Sequence, residues 1–181
     1  MSTTDYTLWN QVTQFHGHEC PGIAIGFRMA LQAKTVLGIE KSSQDEEIIC
    51  ITENDACGVD AVQFILSCTF GKGNLVYYPT GKMAMSFYAR DTGKSCRFIL
   101  KSLKHLNMNR EEKQAYLLTE DFNALFETKP TQMALPQHAS HYESAICTVC
   151  HEETAGLMLH MKNGQIVCRQ CDPLSLQTLL P

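Results

Sequence analysis

Apolar residues recur at helical spacing through the first forty positions of the chain. A short amphipathic helix is predicted over residues 6–15, with one side formed by Leu8, Trp9, Val12 and Phe15. A longer helix is predicted to begin at Pro21, which suits a first helical position, and to end before Gly38, which suits the residue after the last turn. Two helices therefore open the chain, and residues 16–20 lie between them.

Short apolar runs separated by turn residues follow from residue 48 onwards. Strands are predicted over residues 48–51, 75–78, 83–90 and 96–101, and helices over residues 60–68, 109–118 and 121–127. The order of helix, strand, helix, clustered strands and further helices indicates an α+β domain with a mixed sheet.

Length and local composition divide the sequence into three parts. The 181 residues fit one domain with a small appendage. Residues 1–128 are predicted to form the α+β core domain, and residues 145–181 form a four-cysteine segment. Residues 129–144 are polar and are predicted to be a linker.

Composition and charge exclude several classes of partner. The apolar fraction of 44% is typical of a globular protein, and a net charge of -4 with dispersed Lys and Arg argues against a nucleic-acid partner. The sequence has no signal peptide and no apolar run that could span a bilayer, so we expect a cytoplasmic protein without membrane contact. Nine cysteines in such a chain indicate metal ligands, reactive thiols or buried thiols rather than disulfides.

Two C-x2-C pairs lie near the C-terminus, formed by Cys147 with Cys150 and by Cys168 with Cys171. Each pair can chelate one ion through a tight turn, and together they complete a tetrahedral thiolate shell, so the spacing predicts a structural zinc ion. An Asn-Gly hairpin between the pairs and a predicted final helix over residues 172–180 are typical of a treble-clef zinc finger. The alternatives are unrelated free thiols or a redox pair, and His151 could replace one cysteine ligand.

A second group of possible ligands lies between the first two predicted helices. His16, His18 and Cys20 fall within five residues, and imidazole nitrogen and thiolate sulfur are preferred donors for zinc and related metals. Cys20 directly precedes a helix, where unpaired amides and the helix dipole lower the pKa of a thiol. Because Cys57 holds a comparable place before the next helix, Cys20 and Cys57 could bind one ion together with His16 or His18 and leave an open coordination position.

Acidic residues beside this group are candidates for proton transfer. Asp60 follows Cys57 by three residues on the same helical face, so it could orient a ligand or accept a proton, and Glu19 is a second candidate. Cys57, Cys20 and Asp60 are therefore the candidate catalytic residues. The structural alternatives are that His16 braces a loop, that the acids favour helix N-termini, and that Cys57 is a small buried residue.

The stretch Gly71-Lys72-Gly73-Asn74 is a predicted turn with a possible ligand-binding role. Its backbone amides and the Lys72 ammonium could hold an anion, which makes Lys72 and Asn74 candidate cofactor-binding residues. The P-loop pattern is absent, and an ordinary tight turn is the alternative.

Three stretches of the chain resemble the FmdE family, the E-subunit family of formylmethanofuran dehydrogenase, namely residues 15–22 with Gly26, residues 54–63 and residues 68–74. With the C-terminal cysteines, the likeness covers nearly the whole chain. The resemblance implies a thioredoxin-like core with a mixed sheet flanked by helices, followed by a treble-clef zinc finger. It also implies a metal-binding active site in the core at His16, His18, Cys20 and Cys57, without thioredoxin chemistry, because the core has no C-x-x-C motif.

Three functions follow as hypotheses. The first is a metal-binding protein that holds zinc or another transition metal and is accessory to a molybdenum or tungsten oxidoreductase, whose subunits would be its partners, or to its cofactor. The second is a free-standing zinc metalloenzyme in which Asp60 or Glu19 moves a proton. The third is an interaction protein with a vestigial core site.

The first hypothesis is favoured by two observations. Thiolates donate charge to zinc and lower its Lewis acidity, and the chain has no nucleotide or flavin fingerprint that would indicate an intrinsic dehydrogenase. A homodimer is also expected, because the strands and apolar helices exceed what one small sheet can cover.

Overall fold

Segments with helical periodicity and capping residues form the helices of the structure, a computed structural model that describes residues 3–138 and 142–172. The described residues fall into two compact units, divided between residues 139 and 140. In the first unit the helices are α1 (Thr3–His16), α2 (Pro21–Leu37), α3 (Gly58–Leu66), α4 (Arg110–Thr119) and α5 (Phe122–Leu125). Its strands are β1 (Ile48–Thr52), β2 (Leu75–Tyr77), β3 (Ala84–Ala89), β4 (Ser95–Leu100) and β5 (Phe126–Lys129).

Capping residues set the ends of two helices where the sequence predicts them. Pro21 begins α2, and Gly38 ends it with a left-handed φ of 70° and a backbone N–H that bonds back to the last turn. At the start of α4, the Asn109 side chain accepts from the Glu112 N–H while the Glu112 carboxylate accepts from the Asn109 N–H. These ends depend on local chemistry, which is why the sequence alone predicts them.

The five strands of the first unit form one mixed sheet in the order β2-β1-β3-β4-β5. Strands β1 and β2 are parallel, with Cys50 opposite Leu75, and the other neighbouring pairs are antiparallel, as where Cys50 lies opposite Phe87. A parallel pair needs a crossover, which α3 supplies between β1 and β2. The predicted α+β class with a mixed sheet is confirmed.

The two faces of this sheet bury different side chains because neighbours along a strand point in opposite directions. Cys50 and Phe87 face the main core together with the apolar face of α2. On the other face, Ile49 and Tyr88 pack with Met133, and the Tyr88 hydroxyl donates to the Met133 carbonyl at 2.7 Å. Both faces are therefore covered, the second one by residues that follow β5.

The predicted helix over residues 121–127 is partly wrong. It ends at Leu125, and Phe126–Lys129 forms an edge strand in which Phe126 pairs with Leu100 of β4. In this strand Phe126 is buried while Glu127 is exposed, a period of two that suits half-buried sheet. Pairing with β4 decides the conformation, and this partner is not visible in the local sequence.

The second unit contains two hairpins. Its strands are β6 (Ser144–Ile146), β7 (Glu153–Ala155), β8 (Leu159–Lys162) and β9 (Gln165–Cys168), paired as β6-β7 and β8-β9. The turn between β8 and β9 contains Asn163 and Gly164, both with positive φ, as the predicted Asn-Gly hairpin requires. The predicted final helix lies, from residue 173 onwards, outside the described residues. Among the described helices, none is long and apolar enough to cross a membrane.

Candidate metal centre

Four side chains from three separate segments meet at one end of the first unit. His16, His18, Cys20 and Cys57 each offer a ligand atom, and these four atoms lie within 4.8 Å of one another. Donor atoms on one tetrahedral zinc ion are about 3.3–3.8 Å apart, given metal–ligand distances of about 2.0–2.3 Å. The group is therefore compact enough to close on a single ion with small side-chain adjustments.

Three helix ends position these side chains. His16 is the last residue of α1, and Gly17, with a φ of +91° and an N–H that bonds to the Thr13 carbonyl at 2.8 Å, turns the chain away from the helix. Cys20 caps α2, where its sulfur accepts from the Ile23 N–H at 3.4 Å. Cys57 immediately precedes α3 and makes no side-chain cap. The sequence places each residue at a helix end, and the packing of the helices brings the ends together.

A close approach of α2 and α3 depends on three glycines. A Cβ atom on Gly26 would lie 1.9 Å from the Gly58 carbonyl oxygen, and one on Gly58 would lie 3.0 Å from the Gly22 carbonyl oxygen. A Cβ on Gly22 would be 3.1 Å from the Cβ of Cys57 and 3.6 Å from the sulfurs of Cys20 and Cys57. Without side chains at these positions the helices can cross backbone to backbone, and the two thiols face each other.

His16 has one ring nitrogen bonded and the other unpaired. Its Nδ1–H donates to Asp60 Oδ2 at 2.7 Å, and the other Asp60 oxygen accepts from Gln63 Nε2 at 3.0 Å. His16 Nε2 is buried and has no hydrogen-bond partner among the described residues. A carboxylate on one nitrogen and a free lone pair on the other is the arrangement of a metal-ligating histidine, so the residues fit a metal ion.

The two thiols are shielded to different degrees. Cys20 is 5% exposed, and Cys57 is half-buried. Burial raises the pKa of the Cys57 thiol, and a hydrogen bond with Cys20 raises it further. Cys57 therefore holds its proton at neutral pH until a cation displaces it.

A cleft of about 360 Å³ opens beside this group. His16, Cys57 and Asp60 form part of its wall, so the ligand group and its carboxylate both face the cleft. The remaining lining residues are Thr52, Asn54, Asp55, Ala56, Val59, Gln63, Phe70 and Tyr77. A small molecule in this cleft would be next to any metal held by the group.

The other predicted site residues lie elsewhere or have structural partners. Glu19 accepts from Gln114 Nε2 at 2.7 Å on the exposed side of the protein. Lys72 donates to the Ser43 carbonyl at 2.9 Å, and the buried Asn74 amide bonds to several backbone groups, including the Thr69 N–H at 2.8 Å and the Ile48 carbonyl at 2.9 Å. These contacts brace the 67–75 turn and use the polar atoms that a cofactor would need. We therefore do not retain Lys72 and Asn74 as cofactor-binding residues.

The second unit brings its four cysteines together. The sulfurs of Cys147, Cys150, Cys168 and Cys171 lie within 4.8 Å of one another, with 3.9 Å between those of Cys150 and Cys168. Backbone N–H groups of Cys150 and Cys168 hold the pKa of the Cys147 thiol down to about 6. His151 is exposed and lies outside this set. The quartet could hold one metal ion.

Sequence reasoning missed the features that shape the cleft. Gln63 follows Asp60 by three residues on a helix, which is a readable signal for their contact. Phe70 and Tyr77 carry no comparable signal, because aromatic residues beside a short strand are more often part of a core. The role of Gly26 becomes visible only when Gly58 is opposite it.

Comparison with known protein families gives one match over most of the chain. The family described as "FmdE, Molybdenum formylmethanofuran dehydrogenase operon" matches residues 15–154. A curated protein of Archaeoglobus fulgidus, named "Probable S-adenosyl-L-methionine-binding protein", is 39% identical over 87 residues, which are 46% of this chain and 24% of that protein. The chain thus spans about a quarter of the length of this relative.

Among solved structures, an FmdE-like protein of tungsten formylmethanofuran dehydrogenase from Syntrophus aciditrophicus superposes with a TM-score of 0.70. The two chains are 24% identical, and the match covers 94% of this chain and 93% of the other. At this level of identity the likeness concerns the fold.

Proposed function

The chain belongs to the FmdE family, and from this membership and the geometry of the site we propose that it is a metal-binding protein accessory to a molybdenum or tungsten oxidoreductase or its cofactor. The core group of His16, His18, Cys20 and Cys57 would hold zinc or another transition metal. The cysteine quartet of the second unit would hold a structural zinc ion.

One observation carries the core site. His16 Nε2 is buried without a hydrogen-bond partner among the described residues, and a buried imidazole nitrogen left unpaired costs about 1–3 kcal/mol. Coordination would remove this cost, since the nitrogen would donate its lone pair to the ion. The bond from Nδ1 to Asp60 holds the ring in the tautomer that leaves Nε2 free.

His16 is the histidine ligand that this geometry favours, and His18 is the fourth candidate. The ring of His18 is exposed and lies 4.4 Å from that of His16, centroid to centroid. An exposed ligand can leave or be replaced, so its position could take a substrate donor. Zinc with Cys20, Cys57 and His16 would supply a soft Lewis acid with one exchangeable position.

A second function, a free-standing zinc metalloenzyme, is favoured by the cleft. Asp60 faces the same cleft as the ligand group, so its carboxylate could accept a proton from a molecule bound there, while His16 stays oriented by the same residue. The name of the Archaeoglobus fulgidus relative gives S-adenosylmethionine as the ligand of that protein, which makes this compound one candidate substrate.

The structural expectations of the family belong to the same proposal. A thioredoxin-like classification of the core is supported by the β1-α3-β2 unit beside the antiparallel strands β3 and β4. A treble-clef finger is supported by the turn at Cys147 and Cys150 and by the β8-β9 hairpin that leads to Cys168. A homodimer in the cytoplasm remains part of the proposal and is testable by sedimentation and by fractionation of the source cells.

Metal content tests the core site. Purified wild-type protein should contain two metal ions per chain, and the double variant Cys20→Ala, Cys57→Ala should contain one. The matched control is Cys96→Ala, which removes a buried thiol outside both groups and should retain two ions. One ion in both the wild type and the double variant would overturn the core site.

Accessory and enzymatic roles are separated by two further measurements. Affinity purification of the wild-type chain from its source cells should recover subunits of a molybdenum or tungsten oxidoreductase, and the recovery should decrease when Cys20 and Cys57 are replaced. Turnover of a small molecule by the isolated, metal-loaded chain, abolished by Asp60→Asn, would instead favour the enzyme.

A further inference from the structure

The cleft beside the metal group has a distinctive combination of charges and rings. It includes the carboxylates of Asp55 and Asp60, and among its described lining residues there is no Lys or Arg. Phe70 and Tyr77 also line it and are 63% and 43% exposed. A cleft with two acids, two accessible rings and no fixed cation disfavours an anionic ligand.

The charge balance remains negative when a metal is bound. A divalent ion with two thiolates and neutral imidazoles has no net formal charge, so the Asp55 and Asp60 carboxylates determine the sign of the field. Oxyanions and phosphorylated molecules would be repelled, whereas an organic cation would be attracted. Exposed aromatic faces favour the same class of ligand, because cations and flat rings both bind to them.

The turn predicted as an anion site has a different role that supports this view. Asn74 holds the segment through the Thr69 N–H and the Ser67 and Ile48 carbonyls, and Lys72 fixes it to the Ser43 carbonyl. The Gly73 N–H closes the turn on the Phe70 carbonyl at 3.0 Å. Phe70 is thus held at the rim of the cleft by a braced backbone, although its own ring is mostly exposed.

A large exposed aromatic ring on a rigid turn is costly in water unless it has a use, since it gains little from burial. We propose that the cleft binds a positively charged small molecule with a flat ring, the ring contacting Phe70 and Tyr77 and the charge lying near Asp55 and Asp60. The inference rests on the proposed function only in assigning this ligand to the metal site, because the acids and rings belong to the chain itself. Its volume of about 360 Å³ is in the range of small-molecule pockets, roughly 300–1,000 Å³.

Ligands that share a ring and differ in charge test this proposal. The full-length, zinc-loaded chain is titrated by calorimetry with S-adenosylmethionine, which is cationic, with the neutral S-adenosylhomocysteine and with the anionic adenosine 5′-monophosphate. The flat cation 1-methylnicotinamide serves as a probe without adenine. We expect at least one of the two cations to bind, and a cation to bind about tenfold more tightly than the neutral or anionic compounds, with affinity that decreases as salt is raised.

Two exposed positions give variants that should fold normally. Phe70→Leu removes the ring but keeps an apolar side chain, and Asp55→Asn removes one charge. Each should weaken binding of the cation about five- to tenfold. The control Tyr78→Leu changes a neighbouring, 52% exposed ring that does not line the cleft, and should bind like the wild type.

The outcomes separate this proposal from the metal proposal. Metal content of Phe70→Leu and Asp55→Asn should equal that of the wild type, so failure of the metal site would appear in metal analysis and not in these titrations alone. Binding of adenosine 5′-monophosphate as tight as that of the cations, no binding of either cation, or equal effects of Phe70→Leu and Tyr78→Leu would each overturn the proposed ligand class.

Discussion

The crossing of α2 and α3 gives a prediction in which two known effects have opposite signs. The change is Gly26→Ala, in the middle of α2. Helix propensity alone would stabilise the variant by about 1 kcal/mol, because glycine is a poor helix former. The new Cβ, however, would lie 1.9 Å from the Gly58 carbonyl oxygen, which is backbone and cannot rotate away.

The size of the clash sets the expected magnitude. Contacts of a Cβ atom under 3.0 Å essentially never occur, so the helices must separate by about 1.1 Å or the chain must distort. Overpacking of this kind costs about 3 kcal/mol, at the upper end of its usual range. After the gain in propensity, we expect a net loss of about 2 kcal/mol in the free energy of unfolding.

The same displacement should impair the metal centre. Because Cys20 lies at the start of α2 and Cys57 immediately precedes α3, separating the helices also separates the two sulfurs. We expect the core metal to bind at least about tenfold more weakly, since a ligand group displaced by 1 Å no longer matches tetrahedral zinc. The metal of the cysteine quartet should be unaffected.

Urea unfolding and metal analysis after dialysis against a zinc buffer measure the two effects. The control is Gly71→Ala, whose Cβ would have no atom within 4 Å and whose φ is not in the left-handed region. This control should be as stable as the wild type and retain both ions. If Gly26→Ala is as stable as the wild type or more stable and also binds two ions, the close helix crossing is not what assembles the site.

Three further changes have definite expected results. Asp60→Asn should lower the affinity for the core metal about 10- to 100-fold in a competition titration with a zinc chelator, because the His16 ring loses its carboxylate partner. Glu53→Gln should destabilise the protein by about 3 kcal/mol at pH 7 in urea unfolding, because Arg97 is left buried without its partner at 2.6 Å. Asn74→Ala should cost about 2–3 kcal/mol in the same assay, because buried backbone groups lose their hydrogen bonds.

The effect of Glu53 has a sign in pH that provides its own control. Arg97 holds the pKa of Glu53 below its ordinary value of 4.5 in the folded protein. The contribution of this carboxylate is therefore complete above about pH 4.5, and it is lost as pH falls through the lowered, folded-state pKa. The difference between wild type and Glu53→Gln should decrease below about pH 4.5, and a difference that is constant with pH would refute the ion-pair argument.

For the other two changes, different observations would count against the reasoning. An unchanged zinc affinity in Asp60→Asn would mean that the contact to His16 does not orient a ligand. A drop of less than about 0.5 kcal/mol in Asn74→Ala would mean that the 67–75 turn is held by other contacts.

Much of the architecture can be predicted from the sequence because it depends on local chemistry. Pro21 and Gly38 bound α2, Asn109 caps α4, and the Asn-Gly pair makes the β8-β9 turn. Each of these signals acts within a few residues and needs no distant partner. The chemical identity of both ligand groups is also readable, since clustered imidazoles and thiols have few other uses.

Tertiary structure decided what distant residues do together. The strand at Phe126 exists because β4 offers it a partner, and the anion site expected at Asn74 became a brace because Ile48 and Thr69 occupy its amide. The approach of Cys20 to Cys57 requires two helices to cross without side chains between them. Local sequence contains the capping and the donors, whereas the distance between donors depends on backbone packing among segments far apart in the chain.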